Sequence, residues 1–251
     1  DVEKILEKTL QAWSPTLNSL RRPYEILLVD DGSKDGTRAV AEKLATKNPA
    51  IKVLSHPEKL GYGACVRTAL AASTQPLFFY TSCEPGWQPA DLPRLIKELA
   101  FKDDYTGKVV EIVNGHRRGT VWPKWRLRFS KAWGVFIRVV YGYWPEPRQG
   151  WLGLEENRFW WRCRLQFGLR VGDINSPFKL FRKHVFDRME LQANGDFIHA
   201  ELLAKANFLG CLMSEITLAD AQTPQPLTDM KADRQLVFRK PKFRSPVPKL
   251  R

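Results

Sequence analysis

Residues Val29-Asp30-Asp31-Gly32-Ser33-Lys34-Asp35-Gly36-Thr37 are the stretch whose reading decides the fold. They follow Tyr24-Glu25-Ile26-Leu27-Leu28-Val29, a β-favouring run without polar alternation, the pattern of a strand covered on both faces. They lead into a helical stretch from Thr37 to Ala45. In open α/β sheets ligands bind at the carboxyl ends of strands, where this turn falls. Carboxylates there can accept hydrogen bonds from a nucleobase N–H or ribose hydroxyls, and Gly32 and Gly36 permit tight turns. A solvated turn with an Asp helix cap fits these residues equally well.

Outward from this turn the chain keeps alternating. Ile51–Ser55 reads as a strand, 61–72 as a helix entered through Gly61-Tyr62-Gly63, Pro76–Thr81 as a strand and Pro89–Ala100 as a helix. Before it, Val2, Ile5, Leu6 and Leu10 recur at helical spacing from Asp1 to Trp13, and Ser14-Pro15 is expected to stop that helix. After Val109–Val113, globular patterning resumes with Phe178–Phe181 strand-like, Phe197–Ala206 helical and Met213–Leu218 strand-like. Short alternating strands and helices predict an α/β sheet with mostly parallel strands.

A length of 251 residues with 43% hydrophobic and 27% charged residues fits one large soluble domain, with or without an appendage, and excludes disordered or fibrous classes. Cys65, Cys83, Cys163 and Cys211 form no C-x-x-C pair, so neither a zinc ribbon nor a disulfide framework is suggested, and they read as reduced intracellular thiols. No signal peptide and no apolar run near the roughly 20 residues needed to cross a bilayer is found.

The net charge of +13 points to an anionic partner. Its distribution is uneven. Residues 117–170 hold 12 Lys/Arg against 3 Glu and seven of the nine Trp, and residues 231–251 hold 8 Lys/Arg against one Asp. The remainder is therefore slightly acidic, 13 − 9 − 7 = −3. Trp among cations, as in Trp125-Arg126-Leu127-Arg128-Phe129-Ser130-Lys131-Ala132-Trp133, fits helices in a membrane interface, and a buried helical subdomain with solvated arginines fits as well. The Pro-broken basic tail is expected to be extended. No nucleic-acid recognition motif accompanies it.

The Asp-Asp-Gly-Ser turn resembles that of the family 2 glycosyltransferases. Leu60-Gly61-Tyr62-Gly63-Ala64-Cys65-Val66-Arg67 resembles the family's Gly-rich helix start, and Asn114-Gly115-His116-Arg117-Arg118 its G-x-R strand end. Phe79-Tyr80-Thr81-Ser82-Cys83-Glu84, followed by Gln88-Pro89-Ala90-Asp91, is similar to the segment around the metal-binding D-x-D, which aligns on Ser82-Cys83-Glu84 with one carboxylate left. Asp173-Ile174-Asn175-Ser176-Pro177-Phe178-Lys179-Leu180-Phe181-Arg182, with Glu201 and Glu215, is closest to the branch that glycosylates polyprenyl phosphates.

The resemblance implies a GT-A (Rossmann-like) domain over 1–230, a Trp/Arg-rich helical insertion at 117–170 and a basic tail at 231–251. The family's first strand, ending P-x-x-N-E, would lie before Asp1. It also implies transfer of a sugar from a nucleotide diphosphate donor to a polyprenyl phosphate by inverting displacement, with a divalent metal, Mg or Mn, at the cytoplasmic face of a membrane. By the same resemblance Asp30, Asp31, Gly32, Ser33, Asp35, Gly61 and Ser82 would hold the nucleotide, Glu84 the metal, and Glu84, Arg117, Arg118 and Asp173 would serve catalysis, Asp173 by orienting an arginine or the sugar. Lys179 and Arg182 are further candidates for phosphate contacts. The competing reading is a catalytically silent module that binds a nucleotide sugar or a lipid.

Overall fold

The computed structural model describes residues 2–83, 86–117, 163, 167–169, 171–219 and 231–244. Along them run α1 (Glu3–Ser19), β1 (Ile26–Asp31), α2 (Thr37–Lys47), β2 (Ile51–His56), α3 (Tyr62–Ala72), β3 (Leu77–Tyr80), α4 (Leu92–Leu99), β4 (Ile112–His116), β5 (Lys179–Arg182), α5 (Ile198–Phe208), β6 (Met213–Thr217) and α6 (Lys231–Arg239). The α/β expectation holds. β1 and β2 pair in parallel from Ile26↔Ile51 to Asp31↔His56. The other four strands run in the order β3-β5-β4-β6, with β4 and β6 parallel and β5 antiparallel to both neighbours.

The period-2 alternation of the strands divides the core. Phe78, Tyr80, Ile112 and Phe181 face one layer with Val66 of α3 and Ile198, Leu202 and Leu203 of α5. Val113, Phe178 and Leu180 face the opposite layer with Trp13 of α1 and Leu92, Leu95 and Leu99 of α4. Phe178 and Phe181 are fully buried, each contributing about 1.5–3 kcal/mol by removal from water. The sheet sandwiched between these layers presents its strand ends as the surface left for chemistry.

Two expectations need correction. α1 does not stop at Ser14-Pro15 but continues to Ser19 with Pro15 inside it. The proline is exposed, the Ser14 hydroxyl donates to Leu10 O at 2.9 Å, and Leu17 and Leu20 pack on the α1/α4 side of the core. Tertiary burial thus outweighs the hydrogen bond that proline removes. The tail is not extended throughout either: residues 231–239 form α6, whose Val237 enters the main core. Residues 240–244 then run along residues 188–192, with Met189 bridged to Phe243. An apolar anchor therefore helps dock a helix that its basic sequence would leave in solvent. The Trp/Arg stretch from 118 to 162 and the end of the tail from 245 lie outside the described residues.

Candidate active site

The Asp-Asp-Gly-Ser turn closes at the carboxyl end of β1, and its two aspartates have different duties. Asp31 lies opposite His56 in the parallel register. Its Oδ1 meets His56 Nδ1 at 2.7 Å and accepts from the Leu60 N–H at 2.9 Å, while Oδ2 accepts from the Gly61 N–H at 2.8 Å. Burial alone would raise this carboxyl, but the His56 bond and the two amides outweigh it and hold it below the usual range. Asp31 is therefore the latch that fixes the 57–61 loop to the end of β1. Asp30 is 7% exposed, accepts from Ser33 N–H through Oδ1 at 3.3 Å, and takes no hydrogen bond on Oδ2 among the described residues.

Gly32 has φ +66°, and a Cβ there would come within 2.7 Å of the Glu58 carbonyl carbon, so the turn and the 57–61 loop touch backbone to backbone. Asp35 makes local hydrogen bonds. Its Oδ1 accepts from both the Thr37 N–H, at 3.1 Å, and the Thr37 hydroxyl, at 2.6 Å, and its Oδ2 from the Glu3 N–H. The expected nucleotide contact at Asp35 is thus engaged in capping α2 and holding α1 to it.

A second group gathers at the carboxyl ends of β4 and β6. Asp173 lies in the loop before β5 and is 3% exposed. It accepts from Arg117 Nε at 2.5 Å, Nη2 at 2.8 Å and the Arg117 backbone N–H at 3.3 Å, a bidentate pair that fixes the guanidinium plane. Burial would raise the Asp173 carboxyl, yet the Arg117 charge and hydrogen bonds, with Lys179 behind them, keep it below the ordinary carboxylate range. Glu215 of β6 accepts from the Gly172 and Asp173 N–H groups and from Asn114 Nδ2, and lies 3.6 Å from His116 Nδ1.

Lys179 is wholly buried at the start of β5 and donates to Asn114 Oδ1. Burial pulls its ammonium down to about 7 against the attraction of Asp173 and Glu215. Beside it, His199 of α5 meets the Tyr80 hydroxyl at 3.0 Å, and burial first, then the Lys179 and Arg117 charges, push its imidazole well below its usual value. His199 is therefore a neutral ring at neutral pH.

Rings join the two groups. Tyr62, the first residue of α3 and next to Gly61, has its ring 5.1 Å from His199 and 6.3 Å from Tyr80. The site thus runs continuously from Asp31 through Gly61, Tyr62 and His199 to Lys179 and Arg117. Among the described residues, two buried side-chain oxygens lack a partner, Thr81 Oγ1 and Asn175 Oδ1. One follows β3 directly and the other is two residues past Asp173. An unpaired buried polar group costs about 1–3 kcal/mol.

The expected metal position is half in view. Ser82 Oγ accepts from Trp87 Nε1 at 2.9 Å, and Cys83 offers a soft sulfur unsuited to Mg or Mn. Glu84 and Arg118 lie outside the described residues. The hard oxygens in view are therefore hydroxyls, and the one carboxylate of this segment that suits a hard cation is Glu84. A different trio, Asp31, His56 and Cys65, brings ligand-type atoms within 4.8 Å of one another. Its carboxylate already serves His56, Leu60 and Gly61, His56 Nε2 meets Thr68 Oγ1 at 2.9 Å, and burial pushes the Cys65 thiol up to about 12. Those residues satisfy one another and do not suit a hard metal.

Of the further candidates, Arg182 donates to Leu99 O and Val110 O and so stitches the core. Lys179 sits beneath the site with no exposed surface, so it acts on a ligand only through its neighbours. Asn114, His116 and Tyr80 stand in stretches that the resemblance marks without a role of their own, and His56 and His199 carry no recognisable signal alone. His56 comes beside Asp31 through the parallel register of β1 and β2.

The family model for glycosyl transferase family 2 matches residues 7–189. An uncharacterized glycosyltransferase of Mycobacterium tuberculosis is 32% identical over 111 residues, 42% of this chain and 48% of that protein. The undecaprenyl-phosphate 4-deoxy-4-formamido-L-arabinose transferase of Pseudomonas paraeruginosa is 26% identical over 127 residues, 50% of this chain and 36% of that one. The chain spans about half the length of the first of these relatives and less of the second. Among solved structures, glucosyl-3-phosphoglycerate synthase from Mycobacterium tuberculosis with Mn2+ and UDP-glucose superposes with a TM-score of 0.61 at 19% identity, covering 94% of this chain and 73% of that one, a likeness of fold. With the family model matched over most of its length, the chain belongs to glycosyl transferase family 2.

Proposed function

We propose that this chain transfers a sugar from a nucleoside diphosphate donor to the phosphate of a polyprenyl lipid. The observation that carries the reading is the division of labour in the turn after β1: Asp31 is fully engaged in holding the 57–61 loop, which leaves the Oδ2 of Asp30 to accept a nucleoside N–H or hydroxyl. Gly32, Ser33 and Gly61 frame that pocket. The acceptor class rests on relatives named for undecaprenyl-phosphate and dolichyl-phosphate transfer. The Trp/Arg-rich segment, with +9 of the net charge, supports contact with lipid phosphates from the cytoplasmic face of a membrane. No helix among the described residues is long and apolar enough to cross one.

An acceptor phosphate oxygen attacks the anomeric carbon while its bond to the donor β-phosphate oxygen breaks, giving the glycosylated lipid phosphate with inversion and a nucleoside diphosphate. A phosphate monoester is already largely dianionic at neutral pH, so a general base adds little. Arg117, held by Asp173, and Arg118 orient and neutralise phosphate. Glu84 and Ser82 would hold Mg2+ or Mn2+, which supplies charge neutralisation on the leaving diphosphate.

A second reading, a binding module without turnover, is favoured by one feature: of the segment's three residues only Glu84 is a carboxylate, and Ser82 is engaged by Trp87. Calorimetric titration with UDP- and GDP-sugars, with and without Mn2+, tests the donor claim. Binding that weakens at least tenfold in Asp30→Ala and loses its metal dependence in Glu84→Ala supports it. No saturable binding of any donor overturns both readings. For the membrane claim, flotation with anionic liposomes should fall when Trp125, Trp133 and Arg128 are replaced, and unchanged flotation would refute it.

A further inference from the structure

We propose that Asp233, on the basic C-terminal helix, is a positioning residue for the donor pocket, acting through the 192–195 loop on the start of α3. The inference rests on the donor reading above and extends it to a part of the chain that touches no proposed ligand.

Four consecutive backbone N–H groups are held by two carboxylates from two helices. Glu201 of α5 takes Gln192 N–H and Ala193 N–H, each at 2.8 Å. Asp233 of α6 takes Asn194 N–H at 3.0 Å and Gly195 N–H at 2.6 Å, both on Oδ2. With its donors turned to these acids, the loop turns its carbonyls to α3. Asn194 O accepts from Gly63 N–H at 2.6 Å and Ala64 N–H at 3.2 Å, satisfying donors that a helix start leaves without an intrahelical partner. Arg67 grips the same loop through Ala193 O and Asn194 Oδ1.

The approach is too close for any side chain. A Cβ at Gly61, where φ is +102°, would lie 2.5 Å from Asn194 O, and one at Gly63 would lie 2.3 Å from Ala193 O. Gly61 N–H is in turn the group that Asp31 Oδ2 holds. An unbroken path of hydrogen bonds and backbone contact therefore leads from α6 to the turn after β1. α6 is itself held by Val237 in the core and continued by the 240–244 strap, where Lys242 N–H donates to Gln192 Oε1 at 2.9 Å and Gln192 Nε2 donates to Lys240 O at 3.0 Å. Glu201 alone could hold Gln192 and Ala193. Asp233 is what fixes Asn194, whose carbonyl accepts from both Gly63 and Ala64 N–H.

The test is amide hydrogen exchange on the full chain without ligand, followed by titration with UDP and GDP. In Asp233→Ala, the Gly63 and Ala64 amides should exchange at least tenfold faster, while amides in the middle of β4 and β5 keep their rates. Affinity for whichever nucleotide the wild type binds should fall by a similar factor, and in transfer assays the donor KM should rise with kcat unchanged. Asp233→Asn, which retains an acceptor oxygen, should restore most of the loss, and it stands in if the alanine variant fails to fold. Faster exchange at 194–195 with none at 63–64, or equal acceleration everywhere, would overturn the proposal. If wild type binds neither nucleotide, the donor reading fails on its own, and the exchange rates still decide whether Asp233 sets the start of α3.

Discussion

Replacing Asp173 with Asn keeps the shape of the side chain and removes the charge that holds Arg117. The pair is nearly dry, with 9% of the Arg117 side chain and 4% of the Asp173 side chain exposed. Breaking a buried pair by neutralising one partner strands the other charge and costs about 3–5 kcal/mol, against a total of about 5–15 kcal/mol for a domain. The melting temperature should accordingly fall by about 6–20 °C. Arg117→Met should cost a comparable amount, but the double variant much less than the sum, because the stranded charge disappears with its partner.

Acid gives a second signature. The Asp173 carboxyl lies below its unfolded value, so the stability it contributes is complete above about pH 4 and is lost as pH falls through the folded value. The gap between wild type and Asp173→Asn in urea unfolding should be constant from pH 5 upward and narrow below pH 4. A cost under about 1 kcal/mol, or simple additivity in the double variant, would refute the claim that Asp173 is the anchor of Arg117.

Three further outcomes follow from the same geometry. Asp31→Ala strands the Leu60 and Gly61 amides and should cost about 1–3 kcal/mol in chemical denaturation, whereas Asp30→Ala should weaken nucleotide binding with a smaller change in stability; the reverse ranking would contradict the roles assigned to them. Gly63→Ala meets a backbone carbonyl that has no room to yield and should lower stability by about 1–3 kcal/mol, read by thermal unfolding, with full tolerance counting against the packing described. Lys179 is depressed to about 7 when folded but keeps its ordinary value near 10.5 when unfolded, so the unfolded chain holds that proton more tightly. Its charge therefore costs stability below pH 7, and stability should rise toward pH 10 by up to about 1.4 kcal/mol per pH unit, a slope that Lys179→Met should lack.

How far the sequence foretold this site depends on the kind of interaction. The strand before Asp30, the helix after Gly36 and the glycine-led start of α3 were legible because hydrophobic period and turn chemistry are local. That Asp173 orients an arginine was an expectation of the sequence, but which arginine was not legible, since 56 residues separate it from Arg117 and the β4 and β5 register brings them together. Distant elements likewise set His199 against Tyr80 and bury Lys179, whose charge gives no hint of burial. Asp35 looked like its neighbours in the motif, but its short side chain reaches the Thr37 amide first. α1 and α6 depart from expectation for one shared reason: Pro15 and the basic tail are local signals, and Leu17, Leu20 and Val237 reverse them by packing on distant elements.

The most direct test of the central claim is sugar transfer itself, followed with radiolabelled UDP- and GDP-sugars, Mn2+ and polyprenyl phosphate in detergent micelles. The account predicts label moving into the lipid phosphate with release of nucleoside diphosphate, and loss of at least a hundredfold in rate in Arg117→Ala with protein that remains folded. Tight donor binding without transfer to any lipid phosphate, or transfer unaffected by Arg117→Ala, would contradict it.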